Sequence, residues 1–425
     1  MTYLTDFLYL VGTPFFLPPF LYKIVVKKKY RESTRGMLGM NLSGLPWKQE
    51  ASRRNLWLHA VSVGETVAGK AVLSEWVKRD PNARIVASTV TETGQIKARS
   101  LLDEAEEFTY YPIDFSPVVR RFLNHYNPHV YIMMETEIWP NFLREAAGRG
   151  VKIFLANGKL SDRSFSRWMK VRRFFTSTFD AITAACVQTE EDREKFASLL
   201  GRPDRILVTG NCKFDSSGKP LSESDRSSDL ERLDIPEKAP VLVVGSTHQG
   251  EEEIILDAWE AVREKIPGIR LILAPRHPER FDEVKRLLSS RDIAFSLYTK
   301  PEKNSPDVVL VDTIGVLARL YGLGWAAVVG GSFVPIGGHN LLEAAVHGIP
   351  VLYGPHMHKQ PEIVRFFREG EGGIQLEADL LASTLEHLFS NRKERERLGN
   401  EAGKTVMKSR GSAGRTVDFI RKFLD

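Results

Sequence analysis

Cysteine is almost missing from this chain: Cys186 and Cys212 are the only two in 425 residues. Two thiols staple little and form no cluster with histidine. That excludes a disulfide scaffold and a structural zinc module, and it fits a reducing compartment. A large charge excess is missing too. Lys plus Arg is 59 and Asp plus Glu is 54, a balance of +5. A dedicated nucleic-acid binder concentrates far more positive charge on one domain, so no nucleic-acid partner is expected. There is no Gly-x-x-x-x-Gly-Lys-Ser/Thr phosphate loop, and no Gly-x-Gly-x-x-Gly after the first strand. His356 and His358 form a His-x-His pair without a third ligand, so no metal is expected. What is present is a foldable composition, 42% hydrophobic and 27% charged, long enough at ~150 residues per domain for two to three domains.

The N-terminus departs from that body. Phe7 to Tyr22 holds no charged residue, Ile24 to Val26 continue it, and Lys27, Lys28, Lys29 and Arg31 follow at once. No basic segment precedes the run and no small-residue cleavage site follows, so it reads as an uncleaved anchor rather than a signal peptide. A bilayer span takes about 20 apolar residues, and Pro14, Pro18 and Pro19 interrupt this one, which leaves a shallow interfacial segment or a helix packed on the protein as alternatives. The basic flank puts the rest of the chain on the cytoplasmic side.

After a connector from Gly36 to Pro46, short apolar runs begin at Asn55, Arg84, Val130, Val151, Ala181 and Ile206, separated by helical stretches. They predict βαβ units and a parallel sheet. Residues 216–240 are rich in Ser, Asp, Lys and Pro and read as a linker. Alternation restarts at Val241, Arg270, Val308, Ala326 and Pro350, and the helical C-terminus from about Glu377 is long enough to pack back on either half. The expected architecture is an anchor at 1–30, one doubly wound domain at 31–215 and a second at 241–425. A cleft would face the carboxyl ends of both sheets.

Several motifs sit just past the predicted strands. His59-Ala-Val-Ser-Val-Gly-Glu-Thr places Glu65 in the first turn of a helix. The helix dipole alone favours a carboxylate there, and a general base needs only to reach a hydroxyl. Met134-Glu-Thr-Glu-Ile-Trp-Pro-Asn carries Glu135 and Glu137, carboxylates that are costly to bury unpaired. Gly210-Asn-Cys-Lys-Phe-Asp offers Lys213, a surface lysine or a counter-charge for a departing phosphate. In the second half Pro275 and Arg276 follow a strand, Arg276 being suited to phosphate or carboxylate. The Ile314-Gly315-Val316 turn offers main-chain N–H groups. Gly337-Gly-His-Asn-Leu-Leu-Glu predicts a helix starting near Asn340, with an anion at its N-terminus and Glu343 on a ribose. Lys159 to Phe175 interleaves cations with aromatics and suits either anionic lipid or plain solvent.

Taken in order, these motifs resemble those of the Kdo (3-deoxy-D-manno-octulosonic acid) transferases of lipopolysaccharide biosynthesis, and the resemblance covers essentially the whole chain. It implies a membrane-associated, inverting glycosyltransferase of the GT-B class: two Rossmann-like domains, the first for acceptor and the second for nucleotide sugar. It further implies CMP-Kdo as donor substrate, with no separate cofactor, and a lipid A precursor of the lipid IVA type as acceptor. The place of action would be the cytoplasmic side of the inner membrane, against an anionic surface. By the same resemblance Glu65 is the general base, Glu135 a site carboxylate and Lys213 the cationic transition-state stabiliser. Pro275, Arg276, Ile314, Gly315, Val316, Asn340, Leu341, Leu342 and Glu343 bind CMP. Val316 stands where relatives can carry Glu, so it offers only its backbone. Two other readings fit the same pattern: a GT-B-fold sugar-nucleotide epimerase and a non-catalytic, membrane-tethered nucleotide-sugar binder.

Overall fold

The computed structural model of the protein describes residues 5, 6, 9, 31–42, 46–48, 50, 53–370 and 372–424. The chain divides into two compact units, Met1–Ser216 with Ser409–Asp425, and Ser217–Lys408. The first unit is built on strands β1 (Asn55–His59), β2 (Arg84–Thr89), β3 (Glu107–Tyr110), β4 (Val130–Met134), β5 (Lys152–Gly158), β6 (Ala184–Val187) and β7 (Ile206–Val208). They form one sheet in the order β3-β2-β1-β4-β5-β6-β7, every pairing parallel. Residues of β1 alternate between its two faces: Trp57 packs with Tyr131 and Met133, while Leu56 and Leu58 pack with Val130, Ile132 and Met134. A sheet covered by helices on both faces needs such unbroken apolar strands.

The second unit repeats the plan with β8 (Val241–Thr247), β9 (Arg270–Pro275), β10 (Phe295–Leu297), β11 (Val308–Leu310), β12 (Ala326–Val329), β13 (Val351–Tyr353) and β14 (Gly373–Gln375). Its order is β10-β11-β9-β8-β12-β13-β14, again parallel throughout. In each sheet the order reverses beside the first strand, between β1 and β4 and between β8 and β12. The loops leaving the carboxyl ends there diverge and open a crevice, which is where open α/β sheets take their ligands.

The structure differs from the sequence reading at three places. Residues 216–240, read as a linker, hold the helix Glu223–Arg232, capped by Ser222 and seated through buried Leu230, Leu233 and Ile235. Its outer face is charged, so too few apolar residues remain to show a period. The final helix, Ser412–Arg421, belongs to the first unit and not to a 241–425 domain: Ala413, Val417 and Ile420 join the core beside β1, β4 and β6. The anchor expected over 1–30 lies outside the described residues except at Thr5, Asp6 and Tyr9, which meet the first unit. Asp6 Oδ1 accepts from Ser116 N at 3.1 Å and Asn141 Nδ2 at 2.8 Å, and Tyr9 donates to Asp114 Oδ2 at 3.1 Å. Among the described residues no helix is long and apolar enough to cross a membrane.

The final helix starts at Gly411 without a side-chain cap of its own. Asp215 supplies one from a distance, its carboxylate accepting from Gly411 N at 2.5 Å and Ala413 N at 2.6 Å. Asp215→Ala should therefore cost about 0.5–2 kcal/mol, the usual cost of a lost N-cap. An unchanged urea midpoint would show that apolar contacts alone hold this helix.

Candidate functional site

The loop after β1 turns at once into the helix Val63–Arg79, and the turn is a complete capping box. Ser62 Oγ accepts from Glu65 N at 3.2 Å, and Glu65 Oε1 accepts from Ser62 N at 3.3 Å. Glu65 Oε2 also takes Val61 N at 2.8 Å. A carboxylate has about four lone-pair positions, so acceptor capacity remains after these bonds. Burial pushes the Glu65 carboxyl above its ordinary value, the Val61 and Ser62 bonds oppose this, and the Glu135 charge adds to it.

β4 is followed at once by a left-handed residue, Glu135 at φ 55°. For a side-chain-bearing residue that conformation is uncommon, and here it turns the chain sharply off the sheet. The Glu135 side chain meets Lys213, Oε1 to Nζ 2.9 Å. Lys213 is placed by Asn157 and Asn211: Asn157 Oδ1 accepts from Cys212 N at 2.8 Å and Asn211 Oδ1 from Lys213 N at 3.0 Å. A Cβ on Gly64 would lie 3.3 Å from Lys213 Nζ, so the glycine leaves the room the ammonium group occupies. Glu65, Glu135 and Lys213, found separately in the sequence, thus come together in one unit.

Glu137 joins them. Its carboxylate accepts from the Trp139 indole at 3.1 Å. Burial, then the Glu65 charge and to a lesser degree that of Glu135, push it up to about 7 against the opposing indole bond. His59, which opens the first motif, is no acid or base at this site. It is fully buried, its ring lies 3.9 Å from that of Tyr111, and burial drives it down to about 3.

In the second unit the predicted residues all follow carboxyl ends of strands. Pro275 ends β9, and Arg276 stands exposed beyond it with its main-chain N–H on Thr247 O at 3.0 Å. Ile314 is 55% exposed, Gly315 takes φ 95° and Val316 precedes a single helical turn. Asn340 Oδ1 accepts from Leu342 N at 3.1 Å, and its Nδ2 donates to Glu343 Oε1 at 3.3 Å. Two expectations change here. The helix begins at Leu342 and is one turn long, Leu342–Ala345, so it has no appreciable dipole to hold an anion. Leu341 and Leu342 point into the core, so only their main chain is available to a ligand. Among the described residues no group of His, Cys, Asp and Glu is arranged to hold a metal ion.

Comparison with known proteins gives the family. The family model for 3-deoxy-D-manno-octulosonic-acid transferase (kdotransferase) matches residues 37–216. The 3-deoxy-D-manno-octulosonic acid transferase of Haemophilus influenzae is 33% identical over 377 residues, 88% of each chain. That of Chlamydophila psittaci is 30% identical over 422 residues, 98% of this chain and 94% of its own. The chain belongs to the Kdo transferase family. It is a glycosyltransferase that transfers Kdo in lipopolysaccharide synthesis. Among solved structures, UDP-GlcNAc 2-epimerase from Neisseria meningitidis matches at TM-score 0.56 over 87% of this chain and 100% of its own. At 15% identity that likeness is one of fold, the two-sheet GT-B type.

Residues beside these motifs that the sequence reading did not single out as candidates are Glu137, His248, Glu251 and His339. Glu137 had a signal in the Glu-Thr-Glu spacing, and His339 lay inside the glycine-rich motif. Glu251 sits in a run of three glutamates that reads as a solvated first turn, yet it is fully buried.

Glu137 gives a pH test. Its folded value is near 7 and its ordinary value 4.5, so between these the folded state keeps a proton the unfolded state has lost. Stability then falls as pH rises through that window. Glu137→Gln should remove that part of the fall, so the variant gains on wild type from pH 4.5 to 8. Parallel denaturation midpoints for the two proteins across the window would contradict it.

Proposed function

We propose that the protein transfers Kdo from CMP-Kdo to a hydroxyl of a lipid A precursor with inversion, Glu65 acting as general base. The observation that carries this reading is the pairing of Glu65, raised by burial, with the Glu135–Lys213 ion pair at the carboxyl edge of the first sheet. In the step proposed, Glu65 takes the proton of the acceptor hydroxyl as its oxygen bonds to the anomeric carbon. The bond from that carbon to the CMP phosphate breaks, and its electron pair leaves with the phosphate. A base that works near neutral pH is best placed with a pKa raised toward the working pH. Lys213 would neutralise charge that develops in the transition state, and Glu135 would hold it in place. In the second unit Arg276 would meet the donor's phosphate or carboxylate, and Glu343 the ribose. Donor and acceptor are both substrates, and the reading calls on no separate cofactor and no metal.

Action at the cytoplasmic face of the inner membrane is part of the proposal. The helix Asp162–Val171 buries none of its residues. Trp168 rests on Phe175 and Phe179, which leaves Arg163, Arg167, Lys170 and Arg173 outward, with Met169 39% and Phe174 69% exposed. Cations around apolar side chains suit an anionic lipid surface. Arg172 is not among the free cations, because its Nε donates to Leu199 O at 2.8 Å.

Glu65→Gln keeps a capping-box side chain while removing the base. It should slow transfer roughly 10²–10⁴-fold and leave CMP binding near wild type. Mass analysis of a lipid A precursor incubated with CMP-Kdo reads the first quantity and calorimetry the second; near-normal transfer by the variant would remove Glu65 from the role. Arg276→Ala should weaken CMP binding roughly ten- to a hundredfold, the worth of a charge-assisted hydrogen bond. Reversing Arg167 and Lys170 to Glu should reduce flotation with anionic vesicles by about 1 kcal/mol per charge. Unaltered flotation would show that this helix faces solvent.

A further inference from the structure

The second unit contains a histidine pair to which the proposed transfer assigns no role. His248 lies just past β8 and His339 in the glycine-rich segment after β12, either side of the point where the strand order reverses. Their rings are parallel within 3°, with Nε2 to Nε2 at 2.8 Å. At that distance one Nε2 must carry a hydrogen and the other its lone pair. In the neutral pair the donating ring has a bare Nδ1, and the accepting ring has its hydrogen on Nδ1. Among the described residues neither Nδ1 is hydrogen-bonded to a protein group.

The pair is built in from below. The buried Glu251 carboxylate accepts four main-chain N–H groups: His248 at 2.9 Å, Gly331 at 2.6 Å, Ser332 at 2.9 Å and Phe333 at 2.9 Å. One side chain thereby fastens the loop that carries His248 to the segment that leads to His339. Gly331 adopts φ 66°, and a Cβ there would lie 2.8 Å from His339 Cδ2. Nothing larger than glycine leaves room for the pair as it stands.

Its surroundings are cationic. Arg276, His277, Arg280 and Lys359 face His248, and Arg276, His277 and Lys359 face His339. Glu252 and Glu283 neutralise Arg280, and Glu279 lies 3.9 Å from His277. No carboxylate pairs with Arg276 or Lys359 among the described residues. Burial first, and these cations after it, hold both histidines down to about 4. The pair is therefore neutral at neutral pH, and two cations without a carboxylate partner among the described residues help to keep it so.

We propose that His248 and His339 act as one proton-accepting unit of the donor's anion site, taking up a proton from solvent when the nucleotide phosphate seats against Arg276 and Lys359. The anion cancels the repulsion that kept the imidazoles neutral. The proton goes to the bare Nδ1, the Nε2–H···Nε2 bond persists, and the pair then carries one positive charge and two outward N–H donors. The uptake is strongest for the product. A phosphodiester-linked sugar carries one charge on its phosphate, whereas the released monoester carries up to two. The pair would thus supply a charge at the moment the leaving group gains one, and return it as CMP departs.

The proposal rests on the second unit's being the nucleotide unit, and calorimetry on the full chain separates the two ideas. CMP is titrated at pH 6 in buffers of different ionisation enthalpy, into wild type and into H248Q/H339Q. If the bound pair returns to the ordinary 6.5, wild type should take up roughly three-quarters of a proton more per CMP than the variant. The phosphate's own second ionisation, with a pKa of about 6, enters both proteins and cancels in the difference. Equal proton counts would overturn the histidine proposal while leaving the nucleotide unit intact. No CMP binding by wild type would overturn the nucleotide reading itself. Should the double variant not fold, nitrogen spectra of histidine-labelled wild type serve instead. CMP should convert the bare Nδ1 to a protonated one, and ring-nitrogen signals unmoved by saturating CMP would refute the uptake.

Discussion

Three carboxylates, Glu65, Glu135 and Glu137, gather at the carboxyl edge of the first sheet, and Lys213 forms an ion pair with one of them, Glu135. Much of the local architecture follows from that imbalance. Glu135 takes the lysine, and it does so from a left-handed conformation that an ordinary strand end would not adopt. Glu65 is satisfied by main-chain N–H groups of its own helix start, which hold charge without cancelling it. Glu137 is left with an indole and two like charges, and it responds by keeping its proton to near neutral pH. A carboxyl set that cannot ionise completely at neutral pH is the physical condition for one member to accept a proton on demand.

The second unit shows the opposite imbalance. Among the described residues the uncompensated groups there are Arg276 and Lys359, and the neighbours that give way are the histidines, which stay neutral. Excess negative charge at one switch point and excess positive charge at the other would suit the two tasks proposed above: removing a proton from a hydroxyl, and holding a phosphate. Both sites rest on a glutamate whose carboxylate is bound to main-chain N–H groups, Glu65 in one unit and Glu251 in the other. Glu65 keeps spare acceptor capacity, whereas Glu251 uses both oxygens on four amides and is fully enclosed. The first can act on a substrate; the second can only hold its own loops.

The parts of this that the sequence made legible are those written in local chemistry. The central strands are buried on both faces and read as apolar runs, and Ser62 with Glu65 three residues on marks a helix start. The strands that escaped notice, β3, β10 and β14, are all sheet edges. An edge strand has a partner on one side only, so it is short and half-exposed and carries little apolar signal; β14 has no fully buried residue. The pairing of Glu135 with Lys213 spans 78 positions and that of His248 with His339 spans 91, distances no spacing rule reaches. Glu251 was hidden for another reason. Its neighbours Glu252 and Glu253 make it look like solvated helix, and only the folded loop of Gly331 to Phe333 turns it inward.

The boundary drawn at residue 30 fails for a related reason. Two helices of the first unit, Ser116–Tyr126 and Pro140–Ala147, start without a side-chain cap of their own, at Phe115 and Trp139. Their free N–H groups are taken by carboxylates from elsewhere. Asp114 accepts Asn141 N at 3.0 Å and Phe142 N at 2.8 Å, and Asp6 accepts Ser116 N. Asp114 is pushed up to about 6, chiefly by burial, against the opposing hydrogen bonds from Asn141 N, Phe142 N and, after them, the Tyr9 hydroxyl. The helix so capped follows directly from the Glu135–Trp139 loop. Removing the first thirty residues would therefore orphan the buried Ser116 N–H and take one of three hydrogen bonds from the buried Asp114 carboxylate, next to the loop that carries Glu135 and Glu137. Asp6 and Tyr9 are structural parts of the unit that bears Glu65.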